Sequence, residues 1–226
     1  MLHNTRGVVL SHIKYRETSL IVKIYTEAFG LQTYMVNGVR SSKASKSKSA
    51  FFQPLMLLDL IVYHKDGQSM HHIKEIKTAY IFKNIPYEHK KCVIAIFLSE
   101  ILQKTIKEHY KNPELFEFIY DSLVILDEQK SDYENFHLLF MLQYASFLGF
   151  APQDAISFFE EVSYKFNPIE LTFVAQLFNT NQFVCTEKGN NQTRRFILDK
   201  IIYLYQLHVD NIGVIKSFEV LKEIMD

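Results

Sequence analysis

The sequence contains few of the residues that build metal and redox sites. Cys92 and Cys185 are its two cysteines, and they lie far apart in the chain. Such a pair provides neither a disulfide framework nor the Cys-x-x-Cys spacing of a structural zinc site. The N-terminus lacks the apolar core of a secretory signal, and the uncharged stretch 135–153 contains Gly149 and Pro152, which favours a buried helix over a membrane span. We therefore expect a cytoplasmic protein without metal, cofactor or membrane contact.

Motifs for covalent chemistry are also missing. The sequence has no Gly-rich phosphate loop, no His-Glu-x-x-His and no Gly-x-Ser-x-Gly. The pair Asp127-Glu128 consists of neighbours that point in different directions on a helix, so we expect both carboxylates to be solvated rather than to bind metal. Three histidines of one predicted hairpin lack a carboxylate or cysteine at ligand spacing: His64, His71 and His72. The sequence predicts a protein that is not an enzyme.

Charge is distributed unevenly, although the formal net charge is zero. Residues 1–80 contain 11 Lys and Arg against 5 Asp and Glu, whereas residues 81–226 contain 14 against 20. A local excess of six positive charges is therefore cancelled by an equal excess of negative charges. Segregation of this kind indicates that the N-terminal part binds a polyanion, for which the phosphates of nucleic acid are the obvious candidate.

The periodicity of apolar residues divides the chain in the same way. Short β-branched and alternating runs predict strands at residues 7–13, 19–26, 32–36, 55–63 and 70–77. Helical periodicity begins at Tyr87 and continues to Asn112, with further helices predicted at 114–128, 134–150, 168–178, 193–208 and 214–225. The sequence predicts an α+β protein of two domains, a small β-barrel over residues 1–80 and a helical domain over residues 81–226.

Several short segments from both ends of the chain occur together in one known family. They are Arg6–Leu10, Tyr15–Val22, Tyr25–Glu27 with Gly30, Gly38–Arg40, Gln53-Pro54, Leu148–Pro152, and Ile215–Ser217 with Val220-Leu221. In these segments the chain resembles the RecO family of bacterial recombination mediators. It departs from many relatives in lacking a four-cysteine zinc motif after Pro152, and in having Ser19 where an acidic residue is common.

The resemblance implies an N-terminal OB-fold and a C-terminal helical domain. It also implies a protein of DNA repair and recombination that anneals strands, binds single- and double-stranded DNA, and helps to load recombinase on single-stranded DNA coated with single-strand-binding protein. RecR and the acidic C-terminal tail of single-strand-binding protein are the partners that it implies. The alternative is a non-enzymatic scaffold that acts mainly through protein contacts of the helical domain.

The DNA-binding candidates belong to the barrel region. A basic, serine-rich segment joins strands three and four and contains Arg40, Lys43, Lys46 and Lys48. Mobile ammonium groups can follow a phosphate backbone, although a segment of this composition is equally typical of a solvated linker.

The strands and their first turn offer further contacts. Bases stack on aromatic rings beside positive charge, which singles out Lys23, Tyr25 and Tyr34, with core packing as the alternative for Tyr34. Lys14 and Arg16, at the predicted turn between strands one and two, are candidates for the same ligand or ordinary turn charges.

One candidate for protein docking lies in the helical domain. An acidic tail with an aromatic end needs a forked donor beside an apolar surface, and Arg194 and Arg195 next to Phe196 provide this chemistry. A groove for the same tail could be lined by Phe158, Phe159, Phe173 and Phe178, but core packing is the simpler explanation for them.

Overall fold

The computed structural model describes residues 1–39, 47–107, 111–180, 183 and 189–224, with residues 47 and 48 described by their backbone. Five strands come first: β1 (Leu2–Tyr15), β2 (Ser19–Thr26), β3 (Gly30–Val36), β4 (Leu57–Tyr63) and β5 (His71–Tyr80). A one-turn helix, α1 (Ser47–Ala50), precedes β4. Each predicted strand is present, and β1 is longer at both ends than its apolar run indicated.

The five strands close into a barrel in the order β1-β2-β3-β5-β4. Strand β1 pairs antiparallel with both β2 and β4, and a short parallel pairing of β3 with β5 completes the circle. A five-stranded barrel with this crossover is the architecture of the OB-fold. The predicted fold class, a barrel of this type followed by helices, is confirmed.

Alternation along the strands separates a packed interior from an outward face. The interior contains Val22 and Ile24 of β2 with Leu60 and Val62 of β4, all at most 2% exposed. Gly7 of β1 lies directly against two side chains of this interior, those of Ile24 and Leu60. A β-carbon there would be 2.6 Å from the Ile24 side chain, so the close approach of β1 requires glycine.

Seven helices follow the barrel within the described part of the chain. They are α2 (His89–Thr105), α3 (Pro113–Glu128), α4 (Phe136–Leu148), α5 (Ala155–Glu161), α6 (Pro168–Phe178), α7 (Asn191–His208) and α8 (Ser217–Ile224). Helix α5 was not predicted, and α8 begins three residues later than its pattern indicated. In the described ranges, none of these helices combines the length and apolar character needed to cross a bilayer.

Contacts divide the chain into two compact units, and neither consists of one continuous segment. The first comprises Met1–Lys83 and Ser99–Val124, and the second comprises Asn84–Leu98 and Ile125–Asp226. The first unit therefore includes the last seven residues of α2 and most of α3 in addition to the barrel. The domain boundary near residue 80 stays a prediction.

Arg6 connects three segments of the first unit. Its Nε donates to a carboxylate oxygen of Glu27 at 3.0 Å, and its Nη2 donates to the carboxylate of Glu117 on α3. Its guanidinium carbon lies 5.2 Å from the ring centroids of both Phe116 and Tyr120. The bond to Glu27, together with that to Glu117, raises the pKa of Arg6, and Arg6 in turn lowers the pKa of the Glu27 carboxyl. The cation is thus held between two carboxylates and two aromatic rings.

The second unit contains a buried carboxylate that contradicts the sequence prediction. Asp127 is fully buried, and one of its oxygens accepts hydrogen bonds of 2.8 Å from the backbone N–H groups of Asn84 and Ile85. The buried ammonium of Lys91 donates to the Asp127 carbonyl at 3.0 Å. The expectation of a solvated Asp127 was wrong. Its carboxylate is buried because it accepts hydrogen bonds from backbone N–H groups of the turn before α2, and buried N–H groups need such an acceptor.

His137 on α4 is a buried titratable group of the same unit. It is 2% exposed, and its ring makes an edge contact with Phe97 at a centroid distance of 6.4 Å. Burial, helped by the positive charge of Arg194, lowers the pKa of His137 to about 3. The imidazole is therefore neutral in the folded protein at every pH at which the fold is expected to persist.

Replacing Arg6 with Met should lower the free energy of unfolding by about 1–2 kcal/mol, because two charge-assisted hydrogen bonds are lost on a half-buried site. Urea unfolding followed by circular dichroism measures the change. Arg16→Met, on an exposed turn, is the matched control and should stay within about 0.5 kcal/mol of the wild type. Equal midpoints for the Arg6 variant and the wild type would show that this contact contributes no stability.

The buried His137 should make the protein less stable in acid. The unfolded histidine binds a proton below its ordinary pKa of about 6.5, whereas the folded one stays neutral down to a pKa of about 3. The contribution of His137 to the free energy of unfolding is therefore fully present above about pH 6.5. Below that pH it falls by about 1.4 kcal/mol per pH unit. Between pH 7.5 and pH 5, His137→Gln should remove about 2 kcal/mol of this loss, as measured by urea unfolding at each pH. The exposed variant His89→Gln should keep the wild-type pH dependence, and the same dependence in His137→Gln would contradict the prediction.

Candidate nucleic-acid interface

Three of the predicted DNA-binding cations lie on the β1–β2 hairpin. Lys14 is at the end of β1, where it pairs with Leu20, so it belongs to the strand rather than to the turn. Arg16 is in the turn at a positive φ of 50°, with its guanidinium carbon 5.2 Å from the Tyr15 ring. Lys23 lies on the outward face of β2, and all three predicted side chains are exposed. The hairpin therefore presents three cations to solvent.

The same end of the barrel holds both ends of the basic, serine-rich segment. The Ser19 hydroxyl donates to the Asn37 side chain at 3.0 Å, which fixes the chain leaving β3 beside the β1–β2 turn. On the other side of the segment, Phe52 is buried in the barrel core, and its carbonyl lies 2.7 Å from Nδ1 of His12 on β1. Arg40, Lys43 and Lys46 lie outside the described residues, as does the side chain of Lys48. Their contact with DNA stays a prediction.

Two aromatic candidates need correction. Tyr34 is fully buried among the core residues of the barrel, and burial raises the pKa of its hydroxyl above the usual range. Tyr25 has the outward parity, but α3 covers it: its hydroxyl donates to the Asn112 carbonyl at 3.2 Å, and its ring packs against Phe116. With neither ring exposed, Tyr25 and Tyr34 have no face on which a base could stack. Core packing, the alternative given for Tyr34, is therefore correct for that residue, whereas Tyr25 is buried against α3 on the outward face.

The closed barrel brings further basic residues to this region that the sequence did not single out. Parallel pairing of β3 with β5 sets His72 opposite Met35, and His72 and Lys74 are exposed on β5. The alternation of these two residues with buried or half-buried neighbours could have indicated from the sequence that they face solvent. Their proximity to β3 could not be predicted, because the sequence patterns indicated the β4–β5 hairpin but not the parallel pairing of β3 with β5.

The predicted docking residues of the second unit have mainly internal contacts. Arg194 is 8% exposed, and its guanidinium donates to the Gly189 carbonyl at 3.0 Å and to the Asn191 side chain. Arg195 donates twice to the Lys222 carbonyl of α8, at 3.0 and 2.7 Å. Burial thus contradicts a surface role for Arg194, while docking through Arg195 stays a prediction.

Phe196 lies in a half-exposed aromatic cluster of the second unit. Its ring centroid is 4.7 Å from that of Tyr164. The Lys200 ammonium lies 4.5 Å from the Tyr164 centroid and 5.3 Å from the Phe196 centroid. Lys200, which the sequence did not single out, therefore supplies positive charge next to Phe196. In the described part of the chain, no three His, Cys, Asp or Glu side chains are grouped as metal ligands.

Comparison with known proteins agrees with this architecture. Residues 1–97 match the family model for the Recombination protein O N terminal region, and residues 87–155 match that for the C terminal region. A protein of Flavobacterium psychrophilum named DNA repair protein RecO is 37% identical over 97% of this chain and 98% of its own length. The protein of the same name from Bacteroides fragilis is 35% identical over the full length of both chains.

These similarities extend over the barrel and the helices alike, so they cover the whole chain rather than one module. They support a role in DNA repair and recombination. Together with the closed five-stranded barrel and the helices that follow it, they show that the chain belongs to the RecO family.

Proposed function

We propose that this protein is a recombination mediator that binds single- and double-stranded DNA, anneals complementary strands, and helps to load recombinase on DNA coated with single-strand-binding protein. The observation that carries the proposal is the positive end of the barrel. Lys14, Arg16 and Lys23 are exposed on one hairpin, beside both ends of a segment that adds further Lys and Arg. The sequence contains no carboxylate between Glu27 and Asp59, so the charge of this segment is not neutralised by residues within it, and Glu17 is the one acidic residue in the sequence of the hairpin.

Such a surface works by electrostatic capture. Lysine and arginine displace the counterions that surround phosphates, which gives binding without sequence preference and with strong salt dependence. A protein that holds two strands in this way raises their local concentration and screens the repulsion between them, so annealing needs no nucleotide triphosphate. The proposed activity therefore involves no covalent chemistry by the chain.

The helical residues are proposed to dock the protein partners, RecR and the acidic tail of single-strand-binding protein. The Lys200 ammonium beside Phe196 and Tyr164 supports this assignment, because an acidic tail with an aromatic end is recognised by a cation next to an apolar surface. Arg195 lies on the same helix as Phe196 and Lys200.

Replacing Lys43, Lys46 and Lys48 together with Ala should weaken binding to single-stranded DNA. If each lysine contacts one phosphate, the slope of log K against log salt should become shallower by about 2, at about 0.7 per contact. Fluorescence anisotropy with a labelled oligothymidine over a series of salt concentrations measures the slope. A matched control changes three exposed lysines outside the barrel, Lys107, Lys130 and Lys165, and loses the same net charge. Equal slopes for the two triple variants would return the segment to the status of a linker.

Replacing Lys14, Arg16 and Lys23 with Ala should slow the annealing of complementary strands that are coated with single-strand-binding protein. Since the hairpin supplies three of the proposed phosphate contacts, the annealing rate should fall by about tenfold or more at physiological salt. Annealing is followed by energy transfer between dyes on the two strands, with the Lys107, Lys130 and Lys165 variant as control. Wild-type annealing by the hairpin variant would favour a scaffold whose barrel only contacts proteins.

A further inference from the structure

A small cleft opens on the barrel between the end of β3 and the start of β5. Its volume is about 270 Å³, below the roughly 300–1,000 Å³ of pockets for drug-sized ligands. Seven of its lining side chains are apolar: Met35, Val36, Val39, Phe51, Phe52, Ile73 and Ile76. The other three are Asn37, His72 and Lys74. The cleft is therefore an apolar depression with polar and basic residues around it.

The chain that lines this cleft is the chain that enters and leaves the basic, serine-rich segment. Val39 directly precedes that segment, and Phe51 directly follows α1. The lining includes Lys74 and His72 but no Asp or Glu, and the Lys74 ammonium lies 3.9 Å from the carboxylate of the neighbouring Glu75. A strand held by the lysines of the segment would therefore pass next to the cleft.

A larger groove of the first unit has the opposite character. It has a volume of about 440 Å³ and contains three carboxylates, those of Glu27, Asp59 and Glu75, with Arg6 and Lys77 as its cations. Arg6 already binds Glu27 and Glu117. Charge complementarity thus favours a polyanion at the smaller cleft and disfavours it at the larger groove.

We propose that this cleft holds one unpaired nucleobase of a bound strand. The base lies against the ring of Phe51 and the thioether of Met35, and the flanking phosphates lie near Lys74 and His72. The assignment rests on the proposed function, because it needs a strand that is already held on the basic end of the barrel. In this proposal the base stacks on Phe51, because Tyr25 and Tyr34 are buried and have no exposed ring for stacking.

Such a cleft distinguishes single strands from duplexes. A paired base must be unstacked and turned out of the duplex before it enters a pocket, which costs free energy that an unpaired base does not require. Phosphate contacts alone would hold both forms. The cleft therefore predicts that the protein prefers single-stranded DNA and that this preference depends on the base rather than on the backbone.

The test compares two labelled 20-nucleotide strands that have the same phosphates, oligothymidine and an abasic strand of equal length. Full-length wild-type protein should bind oligothymidine about tenfold more tightly at one salt concentration, because stacking of a single base on an aromatic ring is worth a factor of this order. The abasic strand should still bind with a salt-dependent affinity.

Two variants of Phe51 separate stacking from packing. Phe51→Leu removes the ring but keeps a branched apolar side chain against the barrel core on which Phe51 packs. It should bind oligothymidine about tenfold more weakly and the abasic strand as the wild type does. Phe51→Ala should show the same selective loss, and thermal unfolding checks that each variant is folded.

A matched pair on β5 tests the place of the flanking phosphate. Lys74 lines the cleft and Lys77 lines the larger groove, and both are exposed. Lys74→Gln should weaken binding of both strands and reduce the salt slope by about 0.7, whereas Lys77→Gln should leave the slope unchanged. Both lysines are exposed on the same strand, so we expect both variants to fold, and a difference between their salt slopes reports on DNA contact.

The outcomes separate this inference from the function on which it rests. If wild-type protein binds both strands equally and with salt dependence, the cleft holds no base, while the proposed DNA binding stands. Equal loss of both strands in Phe51→Leu would also overturn the inference. If wild-type protein binds neither strand, the proposed function fails, and the base site fails with it.

Discussion

Closure of the barrel is the constraint from which the chemistry of the first unit follows. Each of the five strands has a paired neighbour on both sides, so each side chain is assigned either to a small interior or to the outward face. A one-residue change of register would exchange the two sets. The registers of β2 against β1 and β3 place Val22 inside and Lys23 outside, and they send Tyr34 into the core. The positive surface is thus a by-product of the strand pairings that bury the apolar residues.

The outward face of so small a barrel is not all available to a ligand. Part of it is covered by residues 99–124, which belong to the same unit. Two residues of the barrel hold this covering segment in place. Arg6 binds the carboxylates of Glu27 and Glu117, and the Tyr25 hydroxyl donates to the backbone carbonyl of Asn112 just before α3. The covered side carries acidic residues of its own, such as Glu117. Positive and negative regions are therefore separated within one compact unit, and the side chains of Lys14 and Arg16 are exposed near the β1–β2 turn.

The strands and most helices could be predicted from the sequence because the spacing of apolar residues and the positions of turn residues are local signals. Strand β2 and helix α6 were predicted at the positions that the structure shows. Helix α5 was missed since it is one of the shorter helices, and its start is marked mainly by a capping box between Asp154 and Ser157. The roles of Tyr25 and Asp127 could not be predicted in the same way. Each depends on a partner distant in sequence, at Asn112 and at Asn84 respectively, and no local pattern indicates such a contact.

Arg195 shows what such contacts imply for variation within the family. Both of its hydrogen bonds end on the backbone carbonyl of residue 222, an acceptor that every amino acid possesses. Position 195 therefore requires a guanidinium to make both hydrogen bonds, whereas position 222 can be any residue that keeps the last turn of α8 in place. Substitutions at the two positions have no reason to be correlated, so a comparison of relatives that searches for paired changes would overlook a contact that joins two helices.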